Sequence, residues 1–427
     1  MNDKLHNDPI TTDVLTPKNF RYGWRSPVIF ILMVSMLASA LFLPRAFLSV
    51  SMILFFLVSL MHRRVKEQLI NFTRSPLLWG MSILFLLPLV SGLWSEDQKQ
   101  WQNILRMKLP LVLMPLAFAG SFGILKKNWQ QLAYIFIALV AAGTAWSMMQ
   151  YLPDKSAVHA GYLRSTIIQT PLENDHVRFS WLVHVAILAA VWLFWKNKIK
   201  SSLYSWFMAA VAIWLILFLH ILAARTGLLC FYLSLVIVAI WIIFKKAKPL
   251  FGAVLLISLF VLPVTAYLLL PTFQNRARYF LYDLSYFKKT QYLEGTNDAT
   301  RVISLKAGWN IMNTYPLKGS GFGDLDLKSK EWYAVHYPQM SEADKILPSS
   351  EWLVYGAGCG WPGFIIFTFL MILPLVLKGI KNRLPWYLLS ATTAFTLLFD
   401  IGLEVQFGVF LYSFIMLWWW KWMRAEK

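Results

Sequence analysis

Apolar runs of membrane-spanning length, separated by polar connections, recur from one end of the chain to the other, and runs of this length predict helices. They fall at 27–44, 46–61, 76–94, 109–125, 129–150, 179–195, 203–223, 228–244, 249–270, 352–377, 384–399 and 405–420. Backbone groups in lipid must be satisfied within their own segment, which is why the runs read as about twelve transmembrane helices. The ten-residue alternation of a membrane-spanning barrel is not visible. Residues 1–427 therefore read as a single membrane domain, with one large loop at 271–351 between the ninth and tenth spans. A loop of this length carries function or structure of its own. Within it Val302, Leu305, Trp309 and Met312 recur at helical spacing, predicting a helix over 300–314 that ends before Pro316 and the Gly319-Ser320-Gly321-Phe322-Gly323 run. The segment Trp94 to Lys108 sets Trp94, Trp101, Ile104 and Leu105 among charges, the pattern of an interfacial helix. Apolar residues 27–36 followed by Ala38-Ser39-Ala40 have the outline of a secretory signal, yet the polar lead is 26 residues long and the apolar run continues to Leu43. It reads as the first span.

Composition agrees with this pattern: 58% of the residues are hydrophobic and only 14% charged, too few to cover a soluble protein of 427 residues. The two cysteines, Cys230 and Cys359, lie inside apolar segments and form no disulfide framework. A net charge of +19 would ordinarily suggest nucleic acid, but its distribution points to the membrane. With the N-terminus cytoplasmic, the segments 1–26, 62–75, 126–128, 196–202, 245–248, 378–383 and 421–427 fall inside and hold 22 Lys/Arg against 5 Asp/Glu; the rest of the chain holds 18 against 16. That asymmetry obeys the positive-inside rule, placing both termini in the cytoplasm and the large loop on the opposite side. The excess charge is an anchor to anionic membrane lipid, and no nucleic-acid partner is expected.

The polar residues near the membrane carry the candidate chemistry. Arg225, in Leu222-Ala223-Ala224-Arg225-Thr226-Gly227, sits between two apolar spans with almost no loop, where a guanidinium must be paired or face a polar cavity. It reads either as a snorkelling helix-end residue or as a clamp for a phosphate-like anion. Arg301 opens the predicted loop helix, and Arg178, Arg276 and Arg278 fall on the same side. His176, just before the sixth span, and His336, in the large loop, are titratable near neutral pH and could act as general bases. His184 and His220 lie within apolar spans and read as packing residues. Asp400, Glu404 and Gln406 occupy the turn between the last two spans, where carboxylates should find partners among the arginines. Metal-ligand spacings, a Walker-type loop and a dinucleotide fingerprint do not occur, so no metal and no cofactor are expected and ATP-driven transport is disfavoured.

Together these elements resemble the O-antigen ligase and Wzy-type polysaccharide polymerase superfamily of membrane glycosyltransferases. The layout of spans and late large loop is similar over most of the chain, and motif-level similarity covers 222–363. Ala224-Arg225-Thr226-Gly227 resembles the family's arginine element at an outer helix start. Arg301, Trp309 and Pro316-Leu317-Lys318-Gly319-Ser320-Gly321-Phe322-Gly323 resemble its loop element. Ser349-Ser350-Glu351-Trp352-Leu353 and Gly360-Trp361-Pro362-Gly363 align with a histidine-asparagine element followed by a glycine pair. Here the sequence departs, because Ser349 stands where the family has histidine and Ser350 where it has asparagine.

The resemblance implies an all-α, GT-C-like fold in a bacterial inner membrane, with the large loop periplasmic. It implies a metal-independent, inverting transfer of a glycan from undecaprenyl pyrophosphate to a lipid A–core or other glycan acceptor. Arg225, Arg301 and Arg178 would bind the pyrophosphate, and Asp400, Glu404 and Gln406 would support them. Serine is no base at neutral pH without an activating partner. Either Glu351, His336 or His176, in that order, replaces the family histidine beside Ser349, or the substrate chemistry differs, or transferase activity is lost. An O-antigen or exopolysaccharide polymerase shares the same layout. A non-enzymatic lipid or sugar transporter is the other alternative, although the chain shows no matching halves. A lipid II polymerase would need its own acidic residue in an outer loop, a role for which Asp298, Asp324 and Asp326 have no supporting pattern.

Overall fold

A computed structural model of the protein describes residues 24–123, 126–164, 166–197, 202–288 and 297–425, and all regular structure among them is helical. The N-terminal charges Lys4, Lys18 and Arg21, the basic residues Lys198 and Lys200, and loop residues 289–296 lie outside the described residues. The first helices are α1 (Arg25–Phe42), α2 (Arg45–Leu60), α3 (Val65–Arg74), α4 (Pro76–Ser91), α5 (Gln98–Lys108) and α6 (Pro110–Phe118). Next come α7 (Lys126–Tyr151), α8 (Lys155–Tyr162), α9 (His176–Asn197), α10 (Ser202–Leu222), α11 (Arg225–Lys246) and α12 (Pro249–Leu269). The last six are α13 (Pro271–Lys288), α14 (Asn297–Thr314), α15 (Leu325–His336), α16 (Glu351–Val376), α17 (Arg383–Phe399) and α18 (Gln406–Ala425).

Each of the twelve apolar runs carries a helix. Seven helices (α1, α7, α9, α10, α11, α12 and α16) are long and apolar enough to cross a membrane, and α2 with α3 forms a further apolar unit bent by 109°. This is the make-up of an all-helical integral membrane protein. The run at 109–125 is the shortest helix of the twelve: α6 has nine residues, about 14 Å of rise against a hydrocarbon core of about 30 Å. Pro110 at its start and Pro115 within it limit the hydrogen-bonding that would extend it. Leu109, the one residue between α5 and α6, keeps a right-handed helical backbone, so a polar helix passes almost directly into an apolar one.

Burial separates core from periphery. In α18 the side chains of Phe410, Phe414, Leu417, Trp418, Trp419 and Trp422 are fully buried, with Trp418 and Trp422 stacked at 5.8 Å, so this helix is enclosed by the bundle. In α12, by contrast, Leu250, Phe260 and Leu268 are 80%, 75% and 72% exposed, a surface that suits lipid and not water.

The described part of 271–351 forms three α-helices, α13, α14 and α15, and a short 3-10 helix at Glu342–Asp344, and α14 covers the predicted 300–314 helix. Its glycine run is docked on a break in α16. Ser320 N–H donates to the Ala357 carbonyl at 2.8 Å, Gly321 N–H to Gly358 at 3.1 Å, and Trp361 N–H to Pro316 at 2.9 Å. Gly319 at φ +70° and Gly360 at φ +69° make this backbone-to-backbone approach possible, since a Cβ on either would collide with the facing main chain. A second clamp joins the segment to the α4–α5 turn: Glu96 N–H and Asp97 N–H each donate to the Asp324 carboxylate at 2.8 Å. Gly360→Ala combines an unfavourable backbone region, costing about 1–3 kcal/mol, with a main-chain collision. We expect a clearly lowered thermal midpoint and loss of monodisperse protein in detergent, measured by scanning fluorimetry and gel filtration.

Candidate functional site

The turn between α10 and α11 is only two residues long, with Ala223 in the left-handed region at φ +48°, so Arg225 enters at the first position of α11. Gly227 lets this helix end lie directly against α9: its N–H donates to Ser180 Oγ at 3.1 Å, and a Cβ there would press on Ser180. The spacing of arginine and glycine in this element thus has a packing cause. From the other side, Asp283 of α13 caps α14, accepting from Asp298 N–H at 2.7 Å and Ala299 N–H at 3.4 Å. That cap places Asp298 and Arg301, three residues apart, on one face of the first turns of α14. Asp298 then pairs with the Arg225 guanidinium, which also lies over the Phe280 ring at 4.8 Å.

A cavity of about 320 Å³ opens where these elements meet. Arg225, Asp298, Arg301 and Ser349 form its polar part, while Leu229, Phe280, Leu305, Phe395 and Phe399 are among its apolar walls. Arg225 Nη2 is buried without a hydrogen-bond partner. Arg276, behind this cavity, has Nε and Nη1 in the same condition, and burial together with the neighbouring Arg225 holds its guanidinium below its ordinary pKa. Burial, with Asp298 beside it, pushes the Asp283 carboxyl above its ordinary value. Ser349 Oγ is 3.0 Å from Ser304 Oγ, whose hydroxyl is also placed to donate to the Arg301 carbonyl at 2.7 Å. The partners around Ser349 are hydroxyls and main chain, not a base.

A second polar group lies at the turn 400–406. Arg178 of α9 pairs with Asp175, with Asp400 at 3.3 Å, and donates to the Ile401 carbonyl at 3.1 Å. Burial pushes the Asp400 carboxyl up, against the pull of Arg178. Lys108, fully buried, donates to the Leu403 carbonyl at 2.9 Å and to Glu404 at 2.5 Å, and stands over the Tyr355 ring at 5.0 Å. Glu351, fully buried at the start of α16, accepts from Leu403 N–H at 2.5 Å. Gln406 donates to Ser49 of α2 at 3.0 Å.

Of the residues singled out from the sequence, Arg225, Arg301 and Ser349 share the cavity. Arg178 and Asp400 line a small adjoining pocket that meets the cavity at Thr396. His176 is within electrostatic reach of Arg276 and Arg301 without lining the cavity. Glu351, Glu404 and Gln406 brace the 400–406 turn, outside the cavity wall. His336 is exposed on α15, stacked on Trp332 at 4.4 Å. His184 and His220 are buried in the bundle, bonded to Ser234 and Tyr232. Two further residues matter: Lys108, which the sequence did not single out, and Asp298, set aside there as an acidic candidate although its spacing three residues before Arg301 already put both on one helix face. Among the described residues, no group of three His, Cys, Asp or Glu side chains converges as metal ligands would.

The arrangement defines a helical membrane protein with an arginine-edged, apolar-walled cavity. Residues 210–368, from α10 into α16, match the family model described as O-Antigen ligase, and the resemblance read from Arg225, Arg301 and the glycine elements falls within that stretch. No curated protein matches the chain.

The buried pair of Lys108 and Glu404 gives a direct test. Lys108→Met strands a buried carboxylate and should destabilise the protein by about 3–5 kcal/mol, whereas the double variant Lys108→Met/Glu404→Leu should recover most of that loss. Thermal melts of the purified variants in detergent check both. Equal losses in the single and double variants would contradict the pairing.

Proposed function

We propose that the protein is an O-antigen ligase-like glycosyltransferase, moving a glycan from undecaprenyl pyrophosphate to a lipid A–core or other glycan acceptor at the outer face of the bacterial inner membrane. The observation that carries this reading is the 320 Å³ cavity, with Arg225 and Arg301 at its polar edge and Leu229, Phe280, Leu305, Phe395 and Phe399 along its walls. A polyprenyl pyrophosphate has the same two-part chemistry, a doubly charged head on a hydrocarbon tail. Guanidinium groups match phosphate oxygens in bidentate geometry. As the bond to the anomeric carbon breaks, charge builds on the pyrophosphate, and arginines already oriented there stabilise it. Arg178, held by Asp175 and Asp400, supports the same charge field from the neighbouring pocket. Direct attack by the acceptor hydroxyl inverts the anomeric centre.

In this reading both termini are cytoplasmic and 271–351 is periplasmic, the arrangement that the charge sidedness supports. A polymerase would use the same donor cavity with a second carrier-linked glycan as acceptor, so the acceptor alone separates the two.

Surface glycans of a deletion strain decide the matter. Loss of long-chain polymer from the lipid A–core with accumulation of carrier-linked polymer means ligase; single-repeat glycans mean polymerase. An unaltered profile overturns both and favours a transporter. In the complemented strain, Arg225→Ala and Arg301→Ala should each lower transfer by about 10²–10³-fold with normal membrane levels. Full activity in both variants would refute the clamp.

A further inference from the structure

The geometry points to Asp298 as the proton acceptor of this site, held in reserve by Arg225 and released when the donor's pyrophosphate takes that arginine over. This rests on the donor reading above and adds to it the missing base. Ser349 has only hydroxyl and main-chain partners, Glu351 is fully buried against Leu403 N–H, and His336 is exposed on α15. Asp298 is the carboxylate among the described residues that lines the cavity.

Its surroundings fit the role. One carboxylate oxygen pairs with Arg225, and the other, Oδ2, is buried without a hydrogen-bond partner. Its position is fixed by the Asp283 cap on the α14 N-terminus and by the first turn it shares with Arg301. An incoming pyrophosphate offers Arg225 more negative charge than one carboxylate does, so the donor competes with Asp298 for the same guanidinium. Displaced from Arg225, the Asp298 carboxylate is free to accept a proton at the polar edge of the cavity it shares with Arg301, with Arg276 and Asp283 as its charged neighbours.

The step balances as follows. The acceptor hydroxyl oxygen forms a bond to the anomeric carbon while its proton passes to the Asp298 carboxylate. The bond from that carbon to the pyrophosphate oxygen breaks, and its electron pair leaves with undecaprenyl pyrophosphate, whose charge is met by Arg225 and Arg301. Asp298 then gives its proton to water and pairs with Arg225 again once the carrier departs.

The test uses the full-length protein purified in detergent, with undecaprenyl pyrophosphate as the binding probe and undecaprenyl monophosphate as the control, alongside transfer assays in membranes. Asp298→Asn should lower transfer about 10²–10⁴-fold. The same variant should bind undecaprenyl pyrophosphate several-fold, on the order of threefold to fivefold, more tightly, because the internal competitor for Arg225 is gone. A residue needed only for folding would not move the two readouts in opposite directions. Asp298→Glu keeps a carboxylate and should retain transfer to within about tenfold of the wild type. Wild-type transfer by Asp298→Asn overturns the assignment, as do equal losses in the Asn and Glu variants or a loss of donor binding in Asp298→Asn. In those cases donor binding by the wild-type chain leaves the ligase reading standing. A wild-type chain that does not bind undecaprenyl pyrophosphate overturns both.

Discussion

The buried ion pair between Lys108 and Glu404 is the contact on which the arrangement of the site depends. A lysine with no exposed surface is tolerated only when its ammonium is fully partnered, and here the partners come from a single turn, the Leu403 carbonyl and the Glu404 carboxylate. That turn has no regular structure beyond a short 3-10 stretch at Gly402–Glu404. It is held from several sides: Asp400 ties it to α9 through Arg178, Leu403 N–H ties it to α16 through Glu351, and Gln406 ties it to α2 through Ser49. Four helices distant in sequence are thus referred to one short segment. Removing Lys108 or Glu404 alone leaves its partner's charge stranded at low dielectric, whereas Arg178 has two carboxylate partners, Asp175 and Asp400.

The helices were legible in the sequence because hydrophobic run length is a local property. All twelve runs carry helices, and α14 appears where the spacing of Val302, Leu305, Trp309 and Met312 placed it. The short α6 was signalled only by Pro110 and Pro115, which a hydropathy run does not weigh. Site residues were legible where their environment is dictated by chain neighbours. Arg225 stands at a helix start after a two-residue turn, and Arg301, expected to open a helix, lies one turn into α14, which starts at Asn297; both reach the cavity. Glu351 was not legible in the same way. It sits at a helix start like Arg225, but its partner Leu403 is 52 residues away and the neighbouring Lys108 comes from the first third of the chain. Whether such a carboxylate faces substrate or interior is set by tertiary contacts that periodicity does not encode.

The glycine elements show the converse case, a motif whose meaning is mechanical. Gly319 and Gly321 on one side and Gly358 and Gly360 on the other allow main chain to meet main chain, with hydrogen bonds running from the loop into a broken helix. Through that junction the α14 segment bearing Arg301 is fixed to α16, whose N-terminus adjoins Ser349. The N–H groups of this run are all taken by the protein itself, those of Gly319, Ser320 and Gly321 by main-chain carbonyls and those of Phe322 and Gly323 by the Ser91 and Ser95 hydroxyls. Their contribution to the site is to hold its far wall at a set distance from α11.

What remains at the cavity is an imbalance that the fold maintains. Arg225 and Arg301 stand at one edge with Arg276 within electrostatic reach of Arg225, and Arg225 and Arg276 each keep buried nitrogen atoms without hydrogen-bond partners. Asp298 neutralises part of that charge through its pair with Arg225. A set of guanidinium groups left short of acceptors in an apolar setting is costly by itself, and it persists because the capped start of α14 and the tight α10–α11 turn fix the helix ends that carry it. Binding a compound with several phosphate oxygens and a hydrocarbon tail would satisfy both the donors and the wall. A neutral lipid there would leave buried guanidinium nitrogens without acceptors, and a soluble phosphate would leave Leu229, Phe395 and Phe399 uncovered.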